Sequence, residues 1–554
     1  MNARWILSSA VAFAATHCSA PVVSDSGVGD AAALDGSTDA VADDAGPDVV
    51  LPPPEAVTRS GMVRGTRGAG YQEFLGIPYA APPVGPLRWR PPQPVAPWTM
   101  PRTATTAPAR CPQTLLGLPP GGDEDCLYVN VHTPDPRPAR APVMVWIHGG
   151  GFVFGEGLQT DRSTRGDIIA RTSGIVVVSL NYRLGQLGFL AHAALTAENT
   201  DHVSGNYGLL DQAAALEWVR DNIAAFGGDP SNVTVAGESA GGASVCEHLI
   251  MPRSTGLFHR AIVQSGPCGR TGWTLARAET QGTRFAAALA CDTAADVLAC
   301  MRGVPALRIL ATLPASSTLI DGTAMNGAWG PTIDGRVLPD QPMAIFAAGT
   351  FRRVPTMFGW NRDEGSLFTF ISNRQNLTAA QYPDAVAAVV GGPGALADRV
   401  LAQYPLSAFR NAAAAYSAVI GDLNLACTAR RAWRAMAPHV SSGYAYYFTY
   451  PDGAFQLSPE PLGAYHSGEI QYIFGHPSRI GQSRFVGADL VLHQTLLGYW
   501  SRFVSTGDPN GAGAVAWPRY DSAMDTSLSL DVMPVAAAGA SASACAFWET
   551  TGVY

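Results

Sequence analysis

The sequence predicts one large α/β domain whose central sheet is mostly parallel and is flanked by helices. Apolar strand patterns alternate along the chain with Ala- and Arg-rich helical patterns, such as the stretch 275–289. One strand pattern, 232–236, runs directly into a helical pattern through a Gly-Glu-Ser-Ala-Gly turn. The candidate functional motifs extend from His148 to His466, so the domain cannot be divided into independent halves.

The turn after this strand makes Ser239 a candidate nucleophile. A strand that runs straight into a helix requires a sharp, strained turn, which lifts the Ser239 hydroxyl clear of the sheet. Gly237 and Gly241 have no Cβ, so other backbone segments can pass closely beside the turn. Because a chain with 59 glycines contains Gly-x-Ser-x-Gly patterns by chance, the strand–turn–helix setting carries the prediction.

A run of glycines upstream provides candidate donors for an oxyanion. The apolar strand pattern 142–147 ends at His148, and three glycines follow. Consecutive glycines allow backbone N–H groups to point together into a cavity. We expect the N–H groups of Gly150, Gly151 and Ala240 to form a three-donor oxyanion hole. The alternative is a flexible turn between two elements.

The residues alone leave the acid and the base open. A predicted strand ends in a polar loop that contains Asp363 and Glu364, which are nearly equal candidates for the acid. His466 lies in a polar loop ahead of an apolar segment, but His476 and His493 are alternatives for the base. A single histidine is usually a surface residue or a hydrogen-bonded core residue.

From residue 60 to the carboxyl end, the chain resembles the type-B carboxylesterases, a family that includes the cholinesterases and the neuroligins. The matching blocks are GMVRG at 61–65, FLGIPYA at 74–80, PPVG at 82–85, EDCLYVN at 124–130, NYR at 181–183, GNYGLLDQ at 205–212, GGDP at 227–230, QSG at 264–266 and TGDPN at 506–510. The resemblance implies the α/β-hydrolase fold and a serine carboxylic-ester hydrolase that acts on a small-molecule ester.

The resemblance also implies roles for individual residues. Ser239 is the expected nucleophile, His466 the base and Glu364 the triad acid. Glu364 is selected over Asp363 because the family's acid directly precedes the glycine of Asp-Glu-Gly. Three residues resemble the family's buried polar network behind the histidine, in a structural or a catalytic role: Glu238, Ser265 and Glu469. This chemistry requires no cofactor, and the sequence has no Cys/His cluster at metal-ligand spacing, so neither a cofactor nor a metal is expected.

The nine cysteines agree with an exported protein. Six of them occupy the positions of the family's three disulfides, which implies the pairs Cys111–Cys126, Cys291–Cys300 and Cys427–Cys545. Such bridges persist only in oxidising compartments. We expect Cys246 and Cys268 to be buried free thiols. A bridge between these two is the alternative, because spacing alone does not determine connectivity.

The amino end resembles an export signal. Arg4 precedes an apolar stretch of signal-peptide length, which is too short to span a bilayer. The stretch ends at Cys18, as in a bacterial lipoprotein signal whose cysteine is lipidated, although His17 stands where a small residue is usual. We therefore predict a signal peptide over 1–18 and a lipid anchor at Cys18, with ordinary secretion as the alternative. Lipid on Cys18 would be the only membrane attachment.

The amino-acid composition after residue 18 indicates two segments, an acidic tether and a catalytic domain. Residues 19–58 contain eight acidic and no basic residues, which is typical of a disordered tether, and 59–554 form the predicted catalytic domain. Acidic and basic residues are almost equal in number in this domain, and no basic stripe indicates nucleic-acid binding. The complete absence of lysine indicates a GC-rich bacterial source, so the expected location is secreted, periplasmic or lipid-anchored in the bacterial envelope.

Departures from the cholinesterases indicate the substrate class. The loop 112–125 contains no aromatic residue, Leu367 stands at the family's choline-binding aromatic position, and Gly327 stands in the acyl-pocket segment. Trp273 and Trp329 line the pocket or belong to the core. We expect uncharged, small-to-medium or aromatic esters. The alternatives are a lipase, an amidase or a carbamate hydrolase with the same triad, and a non-catalytic, neuroligin-like adhesion module.

Overall fold

Six stretches of the chain carry the described structure. The computed structural model describes residues 51–114, 120–159, 163–313, 329–451, 461–478 and 484–554. The predicted signal peptide with Cys18, the tether up to residue 50, Gly327 and part of the loop 112–125 lie outside these residues.

The strands form one large sheet and two small ones. Their bounds are β1 Glu55–Thr58, β2 Gly61–Arg64, β3 Thr66–Gly68, β4 Tyr71–Pro78, β5 Arg102–Thr103, β6 Tyr128–Pro134, β7 Ala141–Ile147, β8 Val176–Leu180, β9 Gly228–Glu238, β10 Arg260–Gln264, β11 Trp273–Thr274, β12 Thr332–Ile333, β13 Thr356–Asn361, β14 Gly443–Phe448, β15 Thr526–Leu530 and β16 Val535–Ala538. The large sheet has 11 strands in the order β16-β15-β14-β13-β10-β9-β7-β8-β6-β4-β3. The smaller sheets are β1-β2-β5 and β11-β12.

The large sheet is parallel in its interior and antiparallel at its edges. From β15 to β8 in this order, neighbouring strands pair in parallel. The pairs β15–β16, β8–β6, β6–β4 and β4–β3 are antiparallel. The carboxyl ends of the parallel strands therefore meet at one edge of the sheet, where ligands bind in open α/β sheets. The predicted fold class, a large and mostly parallel central sheet flanked by helices, is confirmed.

Helices cover both faces of this sheet. Their bounds are α1 Asp167–Ser173, α2 Gly185–Phe189, α3 Ala193–Glu198, α4 Tyr207–Asn222, α5 Ala240–Ile250, α6 Leu275–Ala288, α7 Val297–Gly303, α8 Ala306–Ala311, α9 Pro342–Ala348, α10 Gly365–Ile371, α11 Tyr382–Val389, α12 Ala395–Gln403, α13 Ala412–Gly421, α14 Cys427–Met436, α15 Ile470–Phe474, α16 Gly487–Thr506 and α17 Ala542–Glu549. A π-helical segment, Asp422–Ala426, joins α13 to α14.

Strand β7 shows why the central strands of this sheet are continuous apolar runs in the sequence. Val145 and Ile147 point into the hydrophobic core on one face of the sheet, and Met144 and Trp146 into the core on the other. Because successive side chains of a strand point to opposite faces, a strand that is covered on both sides needs apolar residues at every position.

The domain begins slightly earlier than the composition predicts. Residues Glu55–Thr58, which we expected at the end of the tether, form β1 and pair antiparallel with β2. Residues Pro54–Tyr554 form one compact unit. Within the described stretches, no helix combines the length and the apolar character that are needed to cross a bilayer.

Four disulfides stabilise the domain. The three expected pairs are present: Cys111–Cys126, Cys291–Cys300 and Cys427–Cys545. The expectation of free thiols at Cys246 and Cys268 is wrong, because these two form the fourth bridge. Helix α5 and the turn after β10 approach so closely that a Cβ on Gly242 would lie 3.0 Å from the Cα of Gly266. This approach, which spacing in the sequence does not reveal, brings the two cysteines together.

Candidate active site

The turn between β9 and α5 holds Ser239 in a strained conformation. Ser239 has φ 59° and ψ −122°, a region that residues with a Cβ rarely adopt. Its backbone N–H donates to the Gln264 carbonyl at 2.9 Å, which ties the turn to the end of β10. Glycine is required at position 241 because a Cβ there would overlap the carbonyl oxygen of Ile147 at the end of β7. The sequence-predicted strand–turn–helix setting is therefore present.

The glycine run after β7 lies against this turn. A Cβ on Gly149 would lie 3.0 Å from the Cβ of Ser239. Gly150 and Gly151 have positive φ values of 101° and 61°. Within the described chain, the N–H groups of Gly150, Gly151 and Ala240 donate to no other group. Backbone N–H groups without an acceptor, in a segment that lies against a candidate nucleophile, are suited to stabilise an oxyanion.

Glu364 and His466 form a buried hydrogen-bonded pair. The Nδ1 of His466 lies 2.6 Å from Oε2 of Glu364, and both residues are buried. The second carboxylate oxygen of Glu364 accepts the Asn361 N–H at 2.8 Å. In a neutral imidazole, a carboxylate at Nδ1 favours the tautomer that carries its proton on Nδ1 and leaves Nε2 unprotonated.

The other candidate residues for acid and base lie elsewhere. Asp363 is about a third exposed, at 35 %, and forms a 3.0 Å ion pair with Arg362. Its carboxylate also accepts the backbone N–H of Ala464, so Asp363 shapes the histidine loop without touching the imidazole. His476 pairs with Asp167 at 2.7 Å, and Nδ1 of His493 lies 2.7 Å from the Tyr472 carbonyl oxygen.

Glu238 connects His466 to the serine turn. The Nε2 of His466 lies 3.1 Å from Oε1 of Glu238, the residue before Ser239, but the two atoms are not aligned as a hydrogen bond. Among the described residues, the Ser239 hydroxyl makes no hydrogen bond. Catalytic hydrogen bonds in free enzymes often tighten only when substrate binds. The structure thus brings His466 beside the serine turn through Glu238, and to Glu364 directly.

Buried carboxyl groups dominate the electrostatics of the site. Burial raises the pKa of Glu238 to about 8, against the attraction of His466. Burial lowers the pKa of His466, but the charges of Glu238 and Glu364 outweigh that effect and raise it to about 9. Burial likewise raises the pKa of Glu469. The surrounding carboxyl groups therefore favour the protonated form of His466.

Two amides that the sequence analysis did not single out as site residues connect Glu469 to the strand ends. Gln264 at the end of β10 donates to Glu469 at 2.9 Å, and Asn361 at the end of β13 donates to it at 2.7 Å. Asn361 also donates to the Tyr465 carbonyl, next to His466. The signal that could have found both is their position as the last residue of adjacent parallel strands. Ser265 is buried, but its hydroxyl has no hydrogen-bond partner in the described structure.

The aromatic residues near the site differ from those that the sequence suggested. The ring of Phe368 lies 5.1 Å from the His466 ring. Trp329 is buried against Phe285 and belongs to the core. Trp273 is partly buried and stacks with the guanidinium of Arg277.

Comparisons with known proteins agree with this geometry. The sequence model of the family described as "Carboxylesterase family" matches residues 52–548. A rat (Rattus norvegicus) protein named "Pyrethroid hydrolase Ces2e" is 32 % identical over 528 residues, which cover 89 % of this chain and 89 % of the relative. A mouse (Mus musculus) protein named "Cholinesterase" is 34 % identical over 522 residues, which cover 86 % of this chain and 82 % of the relative. Both relatives are mammalian, so they lend no support to a bacterial source.

Proposed function

The chain belongs to the carboxylesterase family and is a carboxylic ester hydrolase, and we propose that it acts through an acyl-enzyme on Ser239. The observation that carries this proposal is the buried hydrogen bond between Glu364 and His466, with the histidine's second nitrogen 3.1 Å from the carboxylate of Glu238, the residue before Ser239. The N–H groups of Gly150, Gly151 and Ala240, which donate to no other group in the described chain, support it as candidate donors to the oxyanion.

In the proposed mechanism, neutral His466 takes the proton of the Ser239 hydroxyl as its oxygen attacks the ester carbonyl. Glu364 holds the imidazole in the correct tautomer and stabilises the imidazolium that forms. The N–H groups of the oxyanion hole stabilise the negative oxygen, and His466 then gives its proton to the leaving alcohol. Water, activated by His466, hydrolyses the acyl-enzyme and restores the serine.

A fluorophosphonate tests the nucleophile directly. We expect the reagent to label the purified protein at one equivalent and to abolish esterase activity in parallel. Peptide mass mapping should locate the adduct on Ser239. An adduct on another serine, or full activity after complete labelling, would contradict the assignment.

We further propose that the substrates are uncharged esters of small to medium or aromatic groups. Leu367 stands where a cholinesterase has an aromatic residue, and a desolvated cation–π contact is worth about 2 kcal/mol, or roughly 30-fold in binding. Of the two relatives, one is named as a pyrethroid hydrolase and the other as a cholinesterase, so the family accommodates both substrate types.

A panel of esters tests this substrate class. We expect higher kcat/KM for p-nitrophenyl acetate, butyrate or octanoate than for acetylthiocholine, because Leu367 offers a quaternary ammonium no aromatic ring. A long-chain emulsion in the same panel detects interfacial activation, which would indicate a lipase. Faster turnover of acetylthiocholine than of every neutral ester would refute the proposed specificity.

The charge of Glu238 should be visible in the pH profile. Only neutral His466 acts as a base, so a raised pKa moves the acid limb of kcat/KM above the ordinary histidine value of about 6.5. Since Glu238 raises this pKa, Glu238→Gln should move the acid limb to lower pH, by about one to three units. Glu247→Gln is the matched control, because Glu247 is a carboxyl on α5 whose pKa is raised by burial alone. An unchanged acid limb in Glu238→Gln would contradict this account.

We propose that the protein is exported from a bacterial cell and anchored through Cys18. The four disulfides are consistent with an oxidising compartment. When the full-length chain is expressed in a bacterium, labelled fatty acid should enter the wild type but not Cys18→Ala. Equal labelling of the two proteins would exclude the anchor and leave ordinary secretion.

A further inference from the structure

Two glycines meet where the helix that follows Glu364 crosses another helix. Gly365 begins α10 directly after Glu364, and Gly421 ends α13. A Cβ on Gly421 would lie 2.6 Å from the Gly365 nitrogen and 3.3 Å from the Cβ of Glu364. A Cβ on Gly365 would lie 2.7 Å from the Gly421 nitrogen and would overlap the Ser417 carbonyl oxygen. The two backbones therefore touch with no side chain between them.

The backbone conformation does not explain the glycine at position 421. Gly421 has φ −65° and ψ −49°, which are ordinary values for a right-handed helix. Any L-residue adopts these angles, and alanine prefers a helix more strongly than glycine does. The space beside Glu364 is therefore what requires the missing side chain.

The end of α13 is fixed on both sides of Gly421, so it cannot simply move away from α10 to admit a methyl group. The Ser417 hydroxyl on α13 donates to the Thr369 hydroxyl on α10 at 2.7 Å. After Gly421, the carboxylate of Asp422 accepts the Tyr404 hydroxyl at 2.8 Å. The π-helical segment then runs into Cys427, which is tied to the last helix by its disulfide. A Cβ at position 421 would therefore push mainly on the start of α10 and on Glu364.

We propose that Gly421 is a positioning residue for Glu364. Because residue 421 has no side chain, α13 packs closely against the start of α10, and this close packing places the Glu364 carboxylate on His466. The proposal rests on the proposed role of the Glu364–His466 pair. A displacement of about 1 Å at such a pair costs about 100-fold in rate, because the reacting groups lose their alignment.

Gly421→Ala tests this directly, with Gly303→Ala as the matched control. Gly303 ends α7, and a Cβ added there would meet no neighbouring atom within 4 Å, although the chemical change is the same. We expect Gly421→Ala to lower kcat about 10- to 100-fold with KM within about twofold. The acid limb of kcat/KM should also move to lower pH, because the Glu364 charge lies farther from His466. Gly303→Ala should match the wild type in all three quantities.

Two further variants keep the test decisive. In the Glu364→Gln background, Gly421→Ala should cause little additional loss, because groups that act as one unit are not additive. If Glu364→Gln by itself retains full activity, the proposed function fails rather than the role of Gly421.

Ser417→Ala removes a hydrogen bond at the same crossing without adding volume, and we expect a several-fold lower kcat and the same shift of the acid limb. Wild-type kcat and acid limb in a folded Gly421→Ala, or in Ser417→Ala where Gly421→Ala does not fold, would overturn the proposal.

Discussion

Ser239→Ala should lower kcat for neutral esters by about a million-fold, the largest effect that we expect from any single substitution. Without the hydroxyl no acyl-enzyme forms, and the residual rate comes from the oxyanion hole and from substrate binding. The measurement is burst and steady-state hydrolysis of p-nitrophenyl butyrate by the purified protein, with fluorophosphonate labelling as a second readout.

The control for this substitution is Ser527→Ala. Ser527 is also a buried serine, lies on β15 and has a hydroxyl without a hydrogen-bond partner in the described structure. We expect this variant to keep wild-type kcat, because it removes a hydroxyl without removing a bond. If Ser239→Ala retained more than about a thousandth of the wild-type kcat, another group would have to be the nucleophile.

The second large effect should come from Glu364→Gln, which we expect to lower kcat by about 10,000-fold. Glutamine keeps the shape of the side chain, but it lacks the charge that stabilises the imidazolium and favours the wrong tautomer of His466. Because the hydrogen bond between them is buried, water does not replace the lost charge. The pH profile of kcat and the thermal unfolding midpoint, measured together, separate lost chemistry from lost stability.

The adjacent carboxylate supplies the control. Asp363→Asn makes the same chemical change one residue earlier, at a side chain that pairs with Arg362 and accepts the Ala464 N–H, a hydrogen bond that the asparagine oxygen can keep. A surface ion pair contributes about 0–1 kcal/mol to stability, so we expect kcat within about tenfold of the wild type. A larger loss for Asp363→Asn than for Glu364→Gln would reverse the assignment of the acid.

The residues alone did not determine which of these two carboxylates is the acid. Asp363 and Glu364 are neighbours in one polar loop, and their chemistry is nearly the same. Only the resemblance to a family selected Glu364, and the structure places that residue, not Asp363, on His466. Similarly, the spacing of the cysteines did not determine whether Cys246 and Cys268 are paired. We expected free thiols, and the structure shows a disulfide.

The sequence by itself determined the features that depend on neighbours along the chain. The apolar run of β7, the glycine run that follows it and the strand–turn–helix around Ser239 are encoded by side-chain period and by backbone angles that few residues adopt. The tertiary structure decided which loops meet at the carboxyl edge of the sheet. It brought Glu238 to within 3.1 Å of His466, buried Trp329 in the core and pressed Gly421 against Glu364. These contacts join segments that lie far apart in the chain, so they depend on how strands and helices pack and not on any local pattern.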